Sequence, residues 1–186
     1  MRAFFSVLLV LLGGCATLRL GEGAFGTGQP LAYDEPLRQS EVTVRLVPAG
    51  HVLGSAQIVL EHAGTRVVYS GDYKRQADPT CAAFVPVPCD VFITEATFGL
   101  PVFRHPDPVA EARRLLHSLA QFPDRTHLVG VYALGKAQRL IALLRAAGHG
   151  GPIYVHGALR RLCDYYAARG IALGELPDAT LAKGRA

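Results

Sequence analysis

Between Val42 and Val47 apolar and polar positions alternate, with Val42, Val44 and Leu46 set against Thr43, Arg45 and Val47, and this period of two predicts a β-strand. Gln57 to Glu61 and Arg66 to Tyr69 predict two more, joined by the turn His62-Ala63-Gly64-Thr65. If the three strands form an antiparallel meander, the segments after the first and third leave the sheet at the same edge. Those segments carry His51 and Asp72. Prolines at 79, 86 and 88 exclude regular structure over residues 78–90 and predict a crossing loop. Asp90 to Thr94 then predicts a buried strand, with Glu95 at its C-terminal end.

Beyond residue 99 the period becomes helical. Asp107-Pro108 predicts a helix start, and Val109, Ala112, Leu116 and Leu119 mark its apolar face. His127 to Tyr132 is expected as a strand, Lys136 to Ala147 as a helix stopped by Gly148, Ile153 to Val155 as a strand, and Leu159 to Arg169 as a helix stopped by Gly170. Such alternation implies a parallel α/β layer. The fold class is therefore α/β (α+β): a β-meander followed by an α/β segment, with the change near residues 99–107. We divide the chain into 1–15, an apolar leader, 16–104 and 105–186. Gly21 to Pro30 is expected as loop, with a turn at Asp34-Glu35-Pro36, and the tail from Glu175 is expected to fray.

Composition adds little. With 186 residues, 50% hydrophobic and 18% charged, the chain has material for a substantial core and is not disordered. A net charge of +4 and a pI near 9.0 suit either a polyanionic partner or a solvated, Arg-rich surface. The four cysteines include no C-x-x-C pair, so neither zinc-finger spacing nor a disulfide framework is indicated. Met1-Arg2, the apolar run Ala3 to Leu12 and the ending Leu12-Gly13-Gly14-Cys15 resemble a lipoprotein signal and are too short for a membrane span of ~20 apolar residues. A misassigned start gives the same string.

His51 and Asp72 are the residue types that zinc hydrolases use, a neutral imidazole and a carboxylate converging on a metal whose bound water ionises near neutrality. Gly50, Gly54 and Gly71 let the backbone turn sharply beside them. A loop histidine bonded to backbone, an aspartate capping a turn and a surface Glu95 are the plainer alternatives. Gly135-Lys136, at a strand-to-helix junction, is a candidate phosphate contact but not a P-loop, since the following Ser or Thr is missing. His156 faces either a substrate cleft or a structural hydrogen bond. The remaining histidines, with Tyr165 and Tyr166, read as packing or surface residues.

The runs Pro48 to Ala56, Tyr69-Ser70-Gly71-Asp72-Tyr73 and Thr94 to Gly99, followed by Tyr132 to Leu140 and Pro152 to Gly157, resemble the β-CASP nucleases of the metallo-β-lactamase fold. Gly71-Asp72-Tyr73-Lys74, Asp78-Pro79-Thr80-Cys81 and Phe98-Gly99-Leu100-Pro101 most resemble the bacterial ligase-associated DNA exonucleases of that group. The resemblance implies that His51 is a zinc ligand, that Asp72 bridges two zincs, and that Glu95 supports the site as the acidic residue opening the β-CASP signature. Lys136 and His156 become candidate substrate contacts. It implies a zinc-dependent phosphodiesterase, DNA before RNA as substrate, and a repair role beside a ligase or helicase.

The family's H-x-H-x-D-H string occurs nowhere in this sequence, and its later histidines are likewise unmatched. A two-zinc site needs about three protein ligands per metal, so weak zinc binding and little hydrolysis are expected of the chain as written, with sheet edges left exposed. The expectation is a fragment of a cytoplasmic enzyme, from a truncated or frame-shifted gene. The alternative is a non-catalytic nucleic-acid or partner-binding module, anchored to a membrane through Cys15. A small-molecule hydrolase of the same fold is a third reading, against which the β-CASP-like half argues.

Overall fold

The computed structural model describes residues 8–12, 15–19 and 29–179. The chain divides into two compact units, Met1–Thr97 and Phe98–Ala186.

In the first unit β1 (Leu8–Leu12), β2 (Cys15–Arg19) and β3 (Gln29–Leu31) make an antiparallel three-stranded sheet in that order. The apolar run read as the core of a leader thus supplies β1. Pro30, expected in a loop, lies in β3, an edge strand where a residue without an N–H is tolerated. Residues 21–28, the rest of that expected loop, lie outside the described residues.

A five-stranded sheet follows: β4 (Leu37–Gln39), β5 (Val42–Pro48), β6 (Ala56–His62), β7 (Thr65–Tyr69) and β8 (Val91–Ile93), in sequence order. The first three pairings are antiparallel, and β7 pairs with β8 in parallel. The meander is therefore as expected. β4 was not, because its three residues form a hairpin through Ser40 at φ 55°, a conformation its sequence does not advertise.

Alternation along β5 and β6 divides the side chains between two faces. Leu46, Ala56 and Leu31 pack on one with Tyr33, Leu37 and Ile58. Val47, Val59 and Val68 pack on the other, under Val87 and Cys89 of the irregular 78–90 segment. Burial of a Val or Leu side chain contributes roughly 1.5–3 kcal/mol, so this double-sided packing fixes the register from which the site loops leave. β8 departs from expectation. Val91, Phe92 and Ile93 are 46%, 44% and 49% exposed, because β8 is the sheet edge and no layer among the described residues of its unit covers it.

In the second unit α1 (Pro108–Gln121) starts where expected, with the Asp107 carboxylate accepting from Val109 N and Ala110 N, both at 3.2 Å. On its marked face Ala112 is buried, Leu116 and Leu119 are half-buried and Val109 is exposed. α2 (Lys136–Ala146) and α3 (Gly157–Ala167) follow, with Gly148 and Gly170 at positive φ just past their ends.

The parallel layer expected here is not present among the described residues. Residues 127–132 form no strand, and Leu128 is 92% exposed. Ile153 to Val155 is reduced to a single parallel bridge, Val155 to Asp178. An extended apolar run becomes a strand only beside a hydrogen-bonding neighbour, and the described part of the unit offers the first run none. The segment expected to fray is instead held from 175 to 179. Arg145 donates to the carbonyls of Leu173 and Glu175 at 2.9 and 2.8 Å, and Arg160 donates to Asp178 at 2.7 Å. Residues 180–186 lie outside the described residues.

Candidate functional site

β5 ends at Pro48, and the chain turns through Ala49 to Ser55 before re-entering the sheet as β6. Gly50 has φ +71°, and a Cβ there would stand 2.4 Å from the Lys74 carbonyl and 2.8 Å from Phe84 N, so only glycine fits. Buried Ser55 closes the turn. Its hydroxyl accepts from His51 N at 2.9 Å and Val52 N at 3.1 Å, its own amide donates to Val52 O, and its carbonyl accepts from Ala49 N. The backbone of His51 is thereby fixed while its ring projects into solvent.

After β7, Ser70 is fully buried and bonded to Ile93 O through its amide, which ties the exit of β7 to β8. Gly71, at φ +55°, then turns the chain and presents Asp72. His51 Nε2 and Asp72 Oδ2 stand 3.8 Å apart, with side chains 42% and 74% exposed. The inference from meander topology was that these residues share a sheet edge, and the structure brings them into contact.

Glu95 follows β8, its carboxylate accepting from Thr97 N at 2.8 Å. The Thr97 amide and hydroxyl hold its pKa below the usual glutamate value, with slight burial opposing and the His51 ring and Tyr73 amide assisting. His51 is therefore within electrostatic reach of two carboxylates.

The other two candidates belong to the second unit. The Lys136 ammonium lies 4.7 Å from the Tyr132 ring centroid, at a helix start capped by Gly135 and buried Gln138. His156 caps α3, its Nδ1 accepting from Ala158 N at 3.2 Å, which is the structural hydrogen bond weighed above as its alternative. Tyr166 is buried, and Tyr165 lies under the Arg169 guanidinium at 3.6 Å.

Sequence reasoning missed the supports. Gln57, 1% exposed, donates from Nε2 to Pro48 O at 3.1 Å and Val85 O at 2.8 Å, pinning the crossing loop to the end of β5. Asp78 accepts from the Lys74 ammonium, from Thr80 N at 2.9 Å and from the Thr80 hydroxyl at 2.6 Å. Burial works to raise the Asp78 pKa, and these donors outweigh it, leaving the carboxyl below the usual aspartate value. Asp78-Pro79-Thr80 did carry a turn signal. Nothing in the sequence placed Lys74 against it.

An imidazole nitrogen and a carboxylate oxygen facing each other in solvent are a suitable pair of zinc donors. A catalytic zinc needs a third protein ligand beside its water, and among the described residues no three His, Cys, Asp or Glu side chains gather as a metal-binding group. Asp72 and His51 thus fit two positions of such a centre and do not complete one.

No family model matches the sequence. The chain is 34% identical over 145 residues to cleavage and polyadenylation specificity factor subunit 3 of Dictyostelium discoideum, covering 73% of this chain and 18% of that protein. It is 37% identical over 146 residues to endoribonuclease ysh-1 of Neurospora crassa, covering 73% and 17%. To cleavage and polyadenylation specificity factor 73 of Drosophila melanogaster it is 36% identical over 124 residues, covering 62% and 18%. The chain therefore spans less than a fifth of the length of these relatives. A crystal structure of a protein of unknown function from Enterococcus faecalis V583 superposes with a TM-score of 0.50 at 13% identity, over 72% of this chain and 34% of that one, a likeness of fold alone. The names of the three sequence relatives lend nothing to the narrower resemblance to ligase-associated DNA exonucleases. Identity above a third with such proteins, together with the glycine-bounded turns that present His51 and Asp72, supports the β-CASP group of the metallo-β-lactamase fold as the family of this chain.

Proposed function

We propose that this chain carries part of the catalytic site of a metal-dependent phosphodiesterase that cleaves nucleic acid, with RNA as its substrate. The observation that carries the reading is the approach of His51 Nε2 to Asp72 Oδ2 at 3.8 Å, in a chain a third identical to proteins named as endoribonucleases and cleavage factors. The metal, when bound, supplies Lewis acidity at phosphorus. The chain's own part is to hold an imidazole and a carboxylate in fixed relation, with Glu95 beside them as a hydrogen-bonded anion. Residues 98–186 contain twelve Lys and Arg against six Asp and Glu, a balance that favours a polyanionic substrate. An intracellular nucleic-acid substrate goes with a cytoplasmic protein.

A second reading, DNA as substrate in a ligase-associated repair role, is favoured by the runs Gly71 to Lys74, Asp78 to Cys81 and Phe98 to Pro101. Zinc uptake by the chain and by His51→Ala and Asp72→Asn, followed by competition between RNA and DNA single strands of one sequence, tests both. We expect zinc uptake that depends on both residues and tighter binding of RNA. Uptake indifferent to both substitutions overturns the site, and a preference for DNA replaces the first substrate with the second.

A further inference from the structure

We infer that Lys74 and Asp78 are positioning residues for the His51–Asp72 pair, an ion-pair latch that holds the two site turns against each other. The inference rests on the site reading above and adds residues to which that reading gives no role.

The two turns arrive from different strands, and backbone hydrogen bonding within each does not set the distance between them. Lys74 does. Its amide donates to Ala49 O at 3.0 Å, and its carbonyl closes the space over Gly50, where a Cβ would meet it at 2.4 Å. Its ammonium donates to His51 O at 3.4 Å. One residue, two positions after Asp72, thus touches Ala49, Gly50 and His51 in succession.

A lysine side chain loses much rotamer freedom on ordering, so a lysine without a restraint would not hold this position. Asp78 supplies the restraint. Its side chain is 2% exposed and that of Lys74 20%, and the two form an ion pair four residues apart. Thr80, 1% exposed, turns the Asp78 carboxylate toward the ammonium through its amide and hydroxyl. A carboxylate so placed is costly unless its charge partner stays in position. The chain from Asp72 to Thr80 is thereby fastened to the His51 turn.

The test uses the whole chain without metal or nucleic acid, so its outcome is separable from that of the zinc and strand-competition measurements. At neutral pH the proton NOE between the His51 ring and the Asp72 Hβ atoms reports the juxtaposition, and the β5, β6 and β7 amide shifts report the sheet. Lys74→Met keeps the aliphatic stem and removes the charge. Asp78→Asn keeps the shape and the acceptor for Thr80 N. Both are expected to lose the NOE with the sheet shifts retained, and Lys74→Arg, which restores a cation, is expected to recover it. Should Lys74→Met not fold, Asp78→Asn decides. An undiminished NOE in either folded charge-removing variant, or no recovery with Lys74→Arg, overturns the latch.

Discussion

Replacing Gly50 by alanine separates the steric demand of the site turn from the ordinary cost of a left-handed residue. At φ +71° an L-residue pays about 1–2 kcal/mol in backbone strain. Its Cβ also has to displace two backbone atoms, Lys74 O at 2.4 Å and Phe84 N at 2.8 Å, which no side-chain rotation relieves. Overpacking of that kind adds typically 1–3 kcal/mol. The total, roughly 2–5 kcal/mol, is a large part of the ~5–15 kcal/mol that holds a domain folded.

Gly64 provides the control. It lies in the β6–β7 turn at φ +80° with nothing within 4 Å of the place a methyl group would take, so Gly64→Ala carries the strain without the clash. Urea unfolding followed through the amide resonances of β5, β6 and β7 gives both values under one set of conditions. Gly50→Ala is expected to lower stability by about 1–3 kcal/mol more than Gly64→Ala. Equal losses would mean that the turn over Lys74 and Phe84 is not closely packed, and the argument for a rigid His51 would fail with it.

Ser55→Ala removes the acceptor for two turn amides and is expected to cost about 1–3 kcal/mol, with faster hydrogen exchange at His51 and Val52; unchanged exchange there would show that the hydroxyl does not fix the turn. The carboxyl of Asp78 gives a pH dependence of definite sign. Although burial opposes it, the Lys74 and Thr80 donors leave the folded-state pKa below the unfolded 3.8, so the unfolded chain binds more protons in acid. Its contribution is complete above 3.8 and disappears as pH falls through the lower folded value. Denaturation midpoints measured from neutral pH into acid should therefore fall less steeply in Asp78→Asn than in the parent, and parallel curves would contradict the shift.

The meander was legible because a period of two and one tight turn specify it almost alone. From that topology the placing of His51 and Asp72 at one sheet edge followed, while their separation of 3.8 Å came from the structure. What the sequence concealed has two physical sources. Burial of Val91 to Ile93, and pairing of the apolar run at 127–132, depend on neighbours outside those segments, so local pattern cannot establish either. The supports of the site, Gln57, Lys74 and Asp78, are polar residues whose burial comes from tertiary contact. In sequence they look like surface positions, and only the turn signal at Asp78-Pro79-Thr80 gave any indication. The hold on residues 175–179 came from Arg145 and Arg160, distant in sequence, and no periodicity in the tail could have reported it.

Equilibrium dialysis against zinc tests the proposal that His51 and Asp72 are two ligands of a metal centre that the described residues do not complete. Complete structural zinc sites bind with ~10–16 kcal/mol. A two-donor pair is expected near or weaker than ~1 μM, a binding free energy of about 8 kcal/mol. We expect uptake in that weak range, lost in both His51→Ala and Asp72→Asn. Two tightly held zincs per chain, or uptake that survives both substitutions, would contradict the proposal.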